Sequence, residues 1–477
     1  MAAFIMNKIE RIKQLVDFKV EGKYEPMEHQ WQSGVFMAEH KRCFNLSTMR
    51  TGKTGSTLLA YSILRKAGRA RRMLILAPLS TLRAVWYDSV CSSIQAPALL
   101  LVGSAKSMAA AIAAGPDIIV ANYEKLSKYY DSLQAWAPDL IVIDECTAYA
   151  NAGTQRSKII YKFIHTLGTV RVWGLTGTPG HDPLKVYGMV HIVSPANLGN
   201  IRSQYQWREL TQYKANMYEW RNRPEAESLM KKVLQPAIRF DAKDVLDLPK
   251  VTTDAQYAEP TPEIKKAVKA LQDSMMAEFR GETITVQQQS SCVSRCLQLL
   301  CGCVRAESGG DVRTLTDLPR DQLILDLINS TDRKTVIFSP FLARCHALTD
   351  WLNSKGITCE SVTGETSEVK RAKIFTAFLN EASPRVLVCH PRTTAFGVEL
   401  SSADLMIFDG VCLSGDFVYG QALARLSSAK QTSDHIHVVH VFSSQLELKM
   451  IRALRDGQKL NAVIADAFTQ ATKENIL

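Results

Sequence analysis

Short, uninterrupted runs of branched and aliphatic residues constrain this chain more than any other feature. Cys43-Phe44-Asn45-Leu46, Met73-Leu74-Ile75-Leu76-Ala77, Ile118-Ile119-Val120, Leu140-Ile141-Val142-Ile143 and Val172-Trp173-Gly174-Leu175 are separated by helix-length segments. None shows the polar alternation of a half-exposed strand, so each reads as a strand buried on both faces of a parallel sheet. The rhythm restarts after Arg333 with Thr335-Val336-Ile337-Phe338, Arg385-Val386-Leu387-Val388, Leu405-Met406-Ile407-Phe408 and His437-Val438-Val439-His440-Val441. Two α/β lobes are implied. Between Gln204 and Pro319 the pattern turns helical and polar, broken by Pro236, Pro249, Pro260, Pro262 and Gly309-Gly310. This predicts a helical insertion and linker, so the expected division is 1–203, 204–319 and 320–477.

A chain of 477 residues exceeds one ordinary core, and its 46% hydrophobic and 22% charged composition is globular. The net charge of +10 sets up a field that favours polyanions such as nucleic acid or acidic lipid. Lys8, Glu10, Arg11 and Lys13 interrupt the N-terminal apolar residues, and no stretch reaches the ~20 apolar residues of a membrane span, which predicts a cytoplasmic protein. Eleven scattered cysteines fit buried thiols in a reducing compartment. Cys292, Cys296, Cys301 and Cys303 lack the paired hairpin spacing of structural zinc sites, and Cys292 and Cys296 share a helix face. Trp207, Tyr213, Tyr218 and Trp220 interleave with Arg208, Lys214, Arg221 and Arg223. Such residues either stack on bases or pack the insertion.

The sharpest local signal is Met49-Arg50-Thr51-Gly52-Lys53-Thr54, between a strand and a helix. That arrangement turns backbone N–H groups toward a phosphate, with a lysine for the β/γ oxygens and a hydroxyl for Mg²⁺. Lys53 and Thr54 fit those roles. Leu140-Ile141-Val142-Ile143-Asp144-Glu145 is an apolar strand ending in two carboxylates. At the end of a parallel strand an aspartate holds Mg²⁺ through water and the next glutamate orients or deprotonates the attacking water.

Asp144-Glu145-Cys146-Thr147, Leu175-Thr176-Gly177-Thr178-Pro179 and the phosphate loop resemble motifs II, III and I of superfamily-2 helicases, in the Swi/Snf-like DNA translocase branch. The resemblance covers nearly the whole chain. Tyr24-Glu25-Pro26-Met27-Glu28-His29-Gln30 resembles the adenine-reading Q motif, Ala77-Pro78-Leu79-Ser80 with Trp86 resembles motif Ia, and Asn122-Tyr123-Glu124 resembles the strand-contact motif after it. The tract from Leu234 to Pro249 is similar to the segment entering the inter-lobe helices. In the second lobe, Val336-Ile337-Phe338-Ser339 resembles motif IV, and Thr363-Gly364-Glu365-Thr366 with Arg371 the segment after it. His390 to Leu400 is similar to motif V of compact phage and bacterial members, and Gln421-Ala422-Leu423-Ala424-Arg425 with Gln431 to motif VI.

The resemblance implies two RecA-like parallel-sheet lobes joined by a helical insertion. It implies ATP and Mg²⁺ held by Gln30, Thr51, Gly52, Lys53, Thr54 and Asp144, with Thr54 and Asp144 on the metal. Glu145 would be the base, and Gln421 and Arg425 would act from the second lobe across the cleft. Thr176, Thr178, Gly397 and Glu399 would couple hydrolysis to movement. Ser80, Thr81, Tyr123, Ser339, Thr363 and Arg392 would contact a nucleic-acid backbone. The activity implied is ATP-driven movement along, or remodelling of, duplex or branched DNA without sequence preference, in a prokaryotic or phage-infected cytoplasm, with a protein partner a candidate for targeting. The alternatives are an RNA helicase of the same superfamily and a weakly hydrolysing, ATP-gated DNA clamp. Two positions depart from the family: Arg50 stands where a glycine is usual, and Ser428 stands where motif VI carries its second arginine, with Lys430 the nearest cation.

Overall fold

Alternate residues of the apolar runs fall into separate cores. In the first lobe Met73, Ile75 and Ala77 join one buried cluster with Val120, Val142 and Trp173. Leu74 and Leu76 join another with Ile119, Ile141 and Ile143. A strand covered on both faces has no polar side, which is why the runs are continuous. The computed structural model describes residues 2–456 apart from 178, 181, 216–219, 275, 280–281, 286–288, 305–312, 395–398, 414 and 428–430. The chain divides into two units, Met1–Leu246 and Asp247–Leu477.

The first unit is built on a seven-stranded sheet. Its order is Ala98–Leu100, Ile118–Asn122, Met73–Ala77, Leu140–Ile143, Arg171–Leu175, Arg42–Asn45 and Ala237–Ile238, parallel throughout. The second unit carries a six-stranded parallel sheet in the order Lys250–Tyr257, His435–Phe442, Ala403–Asp409, Lys334–Phe338, Val386–Cys389 and Cys359–Val362. Its strands also divide by face, Val336, Phe338 and Met406 into one core and Ile337, Leu405 and Ile407 into the other. Both units are RecA-like α/β lobes.

The segment 204–319 is shared between the lobes. Helices Gln204–Thr211 and Ala226–Val233, a hairpin of Gln212–Lys214 with Trp220–Asn222, and the strand Ala237–Ile238 belong to the first. Lys250–Tyr257 and helices Pro262–Ser274 and Gln289–Leu300 belong to the second. Lys250–Tyr257 escapes the apolar-run criterion because it is an edge strand, mostly exposed and paired on one side only. Trp207 is fully buried and donates its indole N–H to the Pro183 carbonyl, so it packs the lobe. Tyr213 is exposed, Arg208 lies over the Trp220 ring, and Tyr218 is outside the described residues. Cys292, Cys296, Cys301 and Cys303 are all buried in the second lobe's core.

Candidate active site

The strand Arg42–Asn45 runs into the loop 46–52, which ends at Gly52, the left-handed N-cap (φ 76°) of helix Lys53–Lys66. That helix forms because Leu58, Leu59, Tyr61 and Leu64 are buried along it. Lys53 Nζ lies under the loop and donates to the carbonyl oxygens of Ser47 (2.8 Å) and Thr48 (3.1 Å). Gln30 is clamped between the start of its own helix and the loop: its Oε1 accepts from Met27 N (3.0 Å) and its Nε2 reaches the Thr51 carbonyl (3.5 Å). A Cβ on Gly52 would stand 2.0 Å from Gln30 Nε2, so the glycine serves both its backbone angle and this approach. Thr51 is buried and donates to the Thr48 carbonyl (2.9 Å), and Thr54 is half-buried in the first helical turn. Arg50 adopts φ 68°, the left-handed conformation that a glycine takes without cost.

A second strand braces the loop from outside. Leu46 N donates to Ile238 O (2.8 Å) and Thr48 N to Phe240 O (2.9 Å). The hydroxyls of Ser47 and Thr48 accept from Phe240 N (3.1 Å) and Ala242 N (2.7 Å). This support was missed in the sequence, because a two-residue strand followed by irregular backbone leaves no periodic pattern.

Asp144 and Glu145 follow the buried strand Leu140–Ile143. Asp144 Oδ2 accepts from the indole N–H of Trp86 (2.8 Å) and from Thr81 Oγ1 (3.4 Å), and Oδ1 accepts from Glu145 N (3.1 Å). Trp86 comes from a π-helical turn, Leu82–Tyr87, a winding often found at functional sites. Burial raises the Asp144 carboxyl above its ordinary range, and the Trp86 bond and the nearby Lys53 charge offset this only in part. Such a carboxylate gains from a bound cation. Glu145 is itself left-handed (φ 45°, ψ 59°) and accepts from Thr176 Oγ1 (3.2 Å) at the end of the strand Arg171–Leu175. A Cβ on Gly177 would lie 3.1 Å from Met49 N and 3.5 Å from Lys53 Nζ, so this turn closes directly on the phosphate loop. The structure therefore brings Gln30, Thr51, Gly52, Lys53, Asp144, Glu145 and Thr176 together; Thr178 lies outside the described residues.

In the second lobe Gln421 is buried and its Oε1 accepts from Arg425 Nη2 (3.2 Å). Arg425 and Glu399 are half-buried, and Gly397, Ser428 and Lys430 lie outside the described residues.

Three of the backbone-contact candidates are buried. Ser339 and Thr363 are fully buried: the Ser339 hydroxyl donates to Asp409 Oδ2 (3.2 Å), and Thr363 Oγ1 accepts from Glu365 N (3.3 Å). Tyr123 is buried and donates its hydroxyl to Asp144 O (2.6 Å), with Tyr149 edge-on to its ring. Ser339 and Tyr123 donate their hydroxyls inside the lobe and the Thr363 hydroxyl is buried, so none of the three presents a hydroxyl at the surface in this conformation. Thr81 is half-buried and Arg392 exposed; the Ser80 side chain is outside the described set.

Sequence reading also missed a buried ionic cluster where the second sheet's strands end. Arg344 bonds Asp409 (2.9 Å) and Asp321, and Arg320 bonds both oxygens of Glu447 (2.9 Å each) and approaches Asp409 (3.5 Å). Burial alone would raise the Asp409 carboxyl, but the Arg344 and Arg320 charges outweigh it and hold it below the usual value.

A phosphate-loop lobe and a second RecA-like lobe define a helicase-type ATPase core. Residues 23–304 match the SNF2-related domain and residues 320–453 the helicase conserved C-terminal domain. The chain belongs to the SNF2-related family, the Swi/Snf-like branch of superfamily-2 helicases. Among solved structures it is similar to the Sulfolobus solfataricus SWI2/SNF2 ATPase core in complex with dsDNA, at 18% identity over 97% of each chain with a TM-score of 0.44. It is likewise similar to the Sulfolobus solfataricus SWI2/SNF2 ATPase core domain, at 19% identity over 93% of this chain and 90% of that one, with a TM-score of 0.40. No curated protein matches the sequence. Among the described residues no helix is long and apolar enough to cross a membrane.

Proposed function

We propose that this chain is a DNA-stimulated ATPase that moves along or remodels duplex or branched DNA without reading its sequence. One observation supports this most: Lys53, Asp144, Glu145 and Thr176 converge at the strand ends beside the phosphate loop. In this reading Lys53 and the amides of the Gly52 turn bind the nucleotide phosphates, and Gln30 holds the turn in shape. Thr54 and Asp144 hold Mg²⁺, which when bound supplies positive charge to the phosphate oxygens. Glu145, positioned by Thr176, takes the proton of the attacking water. Gln421 and Arg425 supply the second lobe's part in catalysis, and Glu399 and Gly397 its part in coupling. Ser80, Thr81 and Arg392 are the candidates that remain for backbone contact, and the net charge of +10 draws the polyanion in.

The test is ATP turnover without nucleic acid and with duplex DNA, single-stranded DNA, forked DNA or RNA. Stimulation by duplex or forked DNA supports the reading. Stimulation by RNA alone points to an RNA helicase, and binding of ATP and DNA without turnover points to a clamp.

A further inference from the structure

Helix Gln155–Leu167 carries a feature that hydrolysis does not use. It is capped by Thr154, whose Oγ1 accepts from Ser157 N, and it buries Ile160, Phe163 and Ile164. Its outward stripe is Lys158, Tyr161, Lys162 and His165, spaced by three or four residues and all exposed. The helix contains no acidic residue.

Tyr161 is 37% exposed, and its ring is the outer member of a stack. His191, from helix Pro183–Val193, lies against it at 4.4 Å with an interplanar angle of 4°, and the buried Tyr187 backs His191 at 5.6 Å and 10°. Burial lowers the His191 pKa, keeping this middle ring neutral near pH 7. An exposed tyrosine fixed in this way has already lost much of the freedom that binding would cost it. Lys162 also reaches over the Tyr130 ring, at 5.9 Å. At the start of the helix Arg156 Nε bonds Glu124 (2.9 Å), engaging the neighbouring acid.

We propose that this face is a second nucleic-acid contact, for single-stranded segments, with Tyr161 stacking on an unpaired base and Lys158 and Lys162 meeting the adjoining phosphates. The cations complement a polyanion, and the open ring selects the single strand, because a duplex hides its base faces. An acidic peptide would use the lysines and leave the ring stack without a role. The proposal rests on the reading of the chain as a DNA motor, and names the strand form taken at this face.

The test is fluorescence anisotropy of the full chain with a labelled oligothymidylate and with a blunt duplex of equal length, across a salt series. Tyr161→Ala should weaken oligothymidylate binding about tenfold and change duplex binding less than about twofold, and Tyr161→Phe should bind as the parent does. Lys158→Ala with Lys162→Ala should flatten the single-strand salt dependence by about one to one and a half in log–log slope. Parent-like oligothymidylate binding by Tyr161→Ala overturns the proposal, as do equal losses on both probes. Should Tyr161 matter for the oligonucleotide while duplex DNA fails to stimulate ATP turnover, the motor reading falls and the stacking face stands. The reverse pair of results removes the stacking face and leaves the motor.

Discussion

The Thr176 hydroxyl donates to the Glu145 carboxylate across 3.2 Å, tying the end of one sheet strand to the residue that follows its neighbour. Glu145 sits in a left-handed turn, so the contact fixes a side chain whose backbone is already constrained. Thr176→Val keeps the shape and removes the donor. It should leave nucleotide affinity near that of the parent and lower kcat by roughly 10–100-fold, as expected for losing a hydrogen bond to a charged group, while Thr176→Ser should retain most of the activity. Steady-state kinetics on the three proteins checks this.

Arg50 holds a backbone conformation, φ 68°, that disfavours a side chain by about 1–2 kcal/mol. Arg50→Gly should therefore raise stability to denaturant by about 1 kcal/mol, reduced by the greater freedom of glycine in the unfolded chain. Gly52→Ala should do the opposite, because the new methyl would collide with Gln30 Nε2. Chemical denaturation measures both.

The hydroxyls of Ser47 and Thr48 hold Phe240 and Ala242 against the phosphate loop. Thr48→Val should destabilise the first lobe by about 1 kcal/mol and speed hydrogen exchange at the Ala242 amide, whose acceptor is then gone. Exchange at Leu46 N, bonded to Ile238 O, should be little affected.

The Arg344, Arg320, Asp409, Asp321 and Glu447 cluster gives the second lobe an acid-sensitive core. Arg344→Met leaves Asp409 and Asp321 short of a buried partner and should cost ~3–5 kcal/mol. Because the folded Asp409 carboxyl titrates below the ordinary value of about 3.9, its stabilisation is complete above that pH and is lost as pH falls toward its folded pKa. Asp409→Asn should thus be markedly less stable than the parent at pH 7, and the gap should narrow on acidification below about pH 4. Unfolding midpoints across pH test this.

The central strands were legible in the sequence because burial on both faces leaves their runs apolar, as in Ile118-Ile119-Val120 and Leu140–Ile143. Lys250–Tyr257 was not, since it is mostly exposed and carries polar residues along its length. Motif spelling singled out Lys53, Asp144, Glu145 and Thr176, and the structure places Lys53 at a helix start and the other three just after strand ends. The spelling did not reveal orientation: Ser339, Thr363 and Tyr123 occupy the motif positions yet turn their hydroxyls inward, a matter of side-chain packing that spacing does not encode. The ionic cluster stayed hidden for a different reason. Arg320 and Glu447 lie far apart in the chain, and charged residues are normally expected at the surface.

The most direct measurement is ATP binding and ATP turnover by the parent, Lys53→Ala and Glu145→Gln, each with saturating duplex DNA. The expected result is DNA-stimulated turnover by the parent, lost tight binding in Lys53→Ala, and in Glu145→Gln retained binding with hydrolysis reduced by at least about 10²-fold, since an amide fits the site but takes no proton. Turnover by Glu145→Gln at the parent rate, or a parent that binds ATP and duplex DNA without hydrolysing, would contradict it.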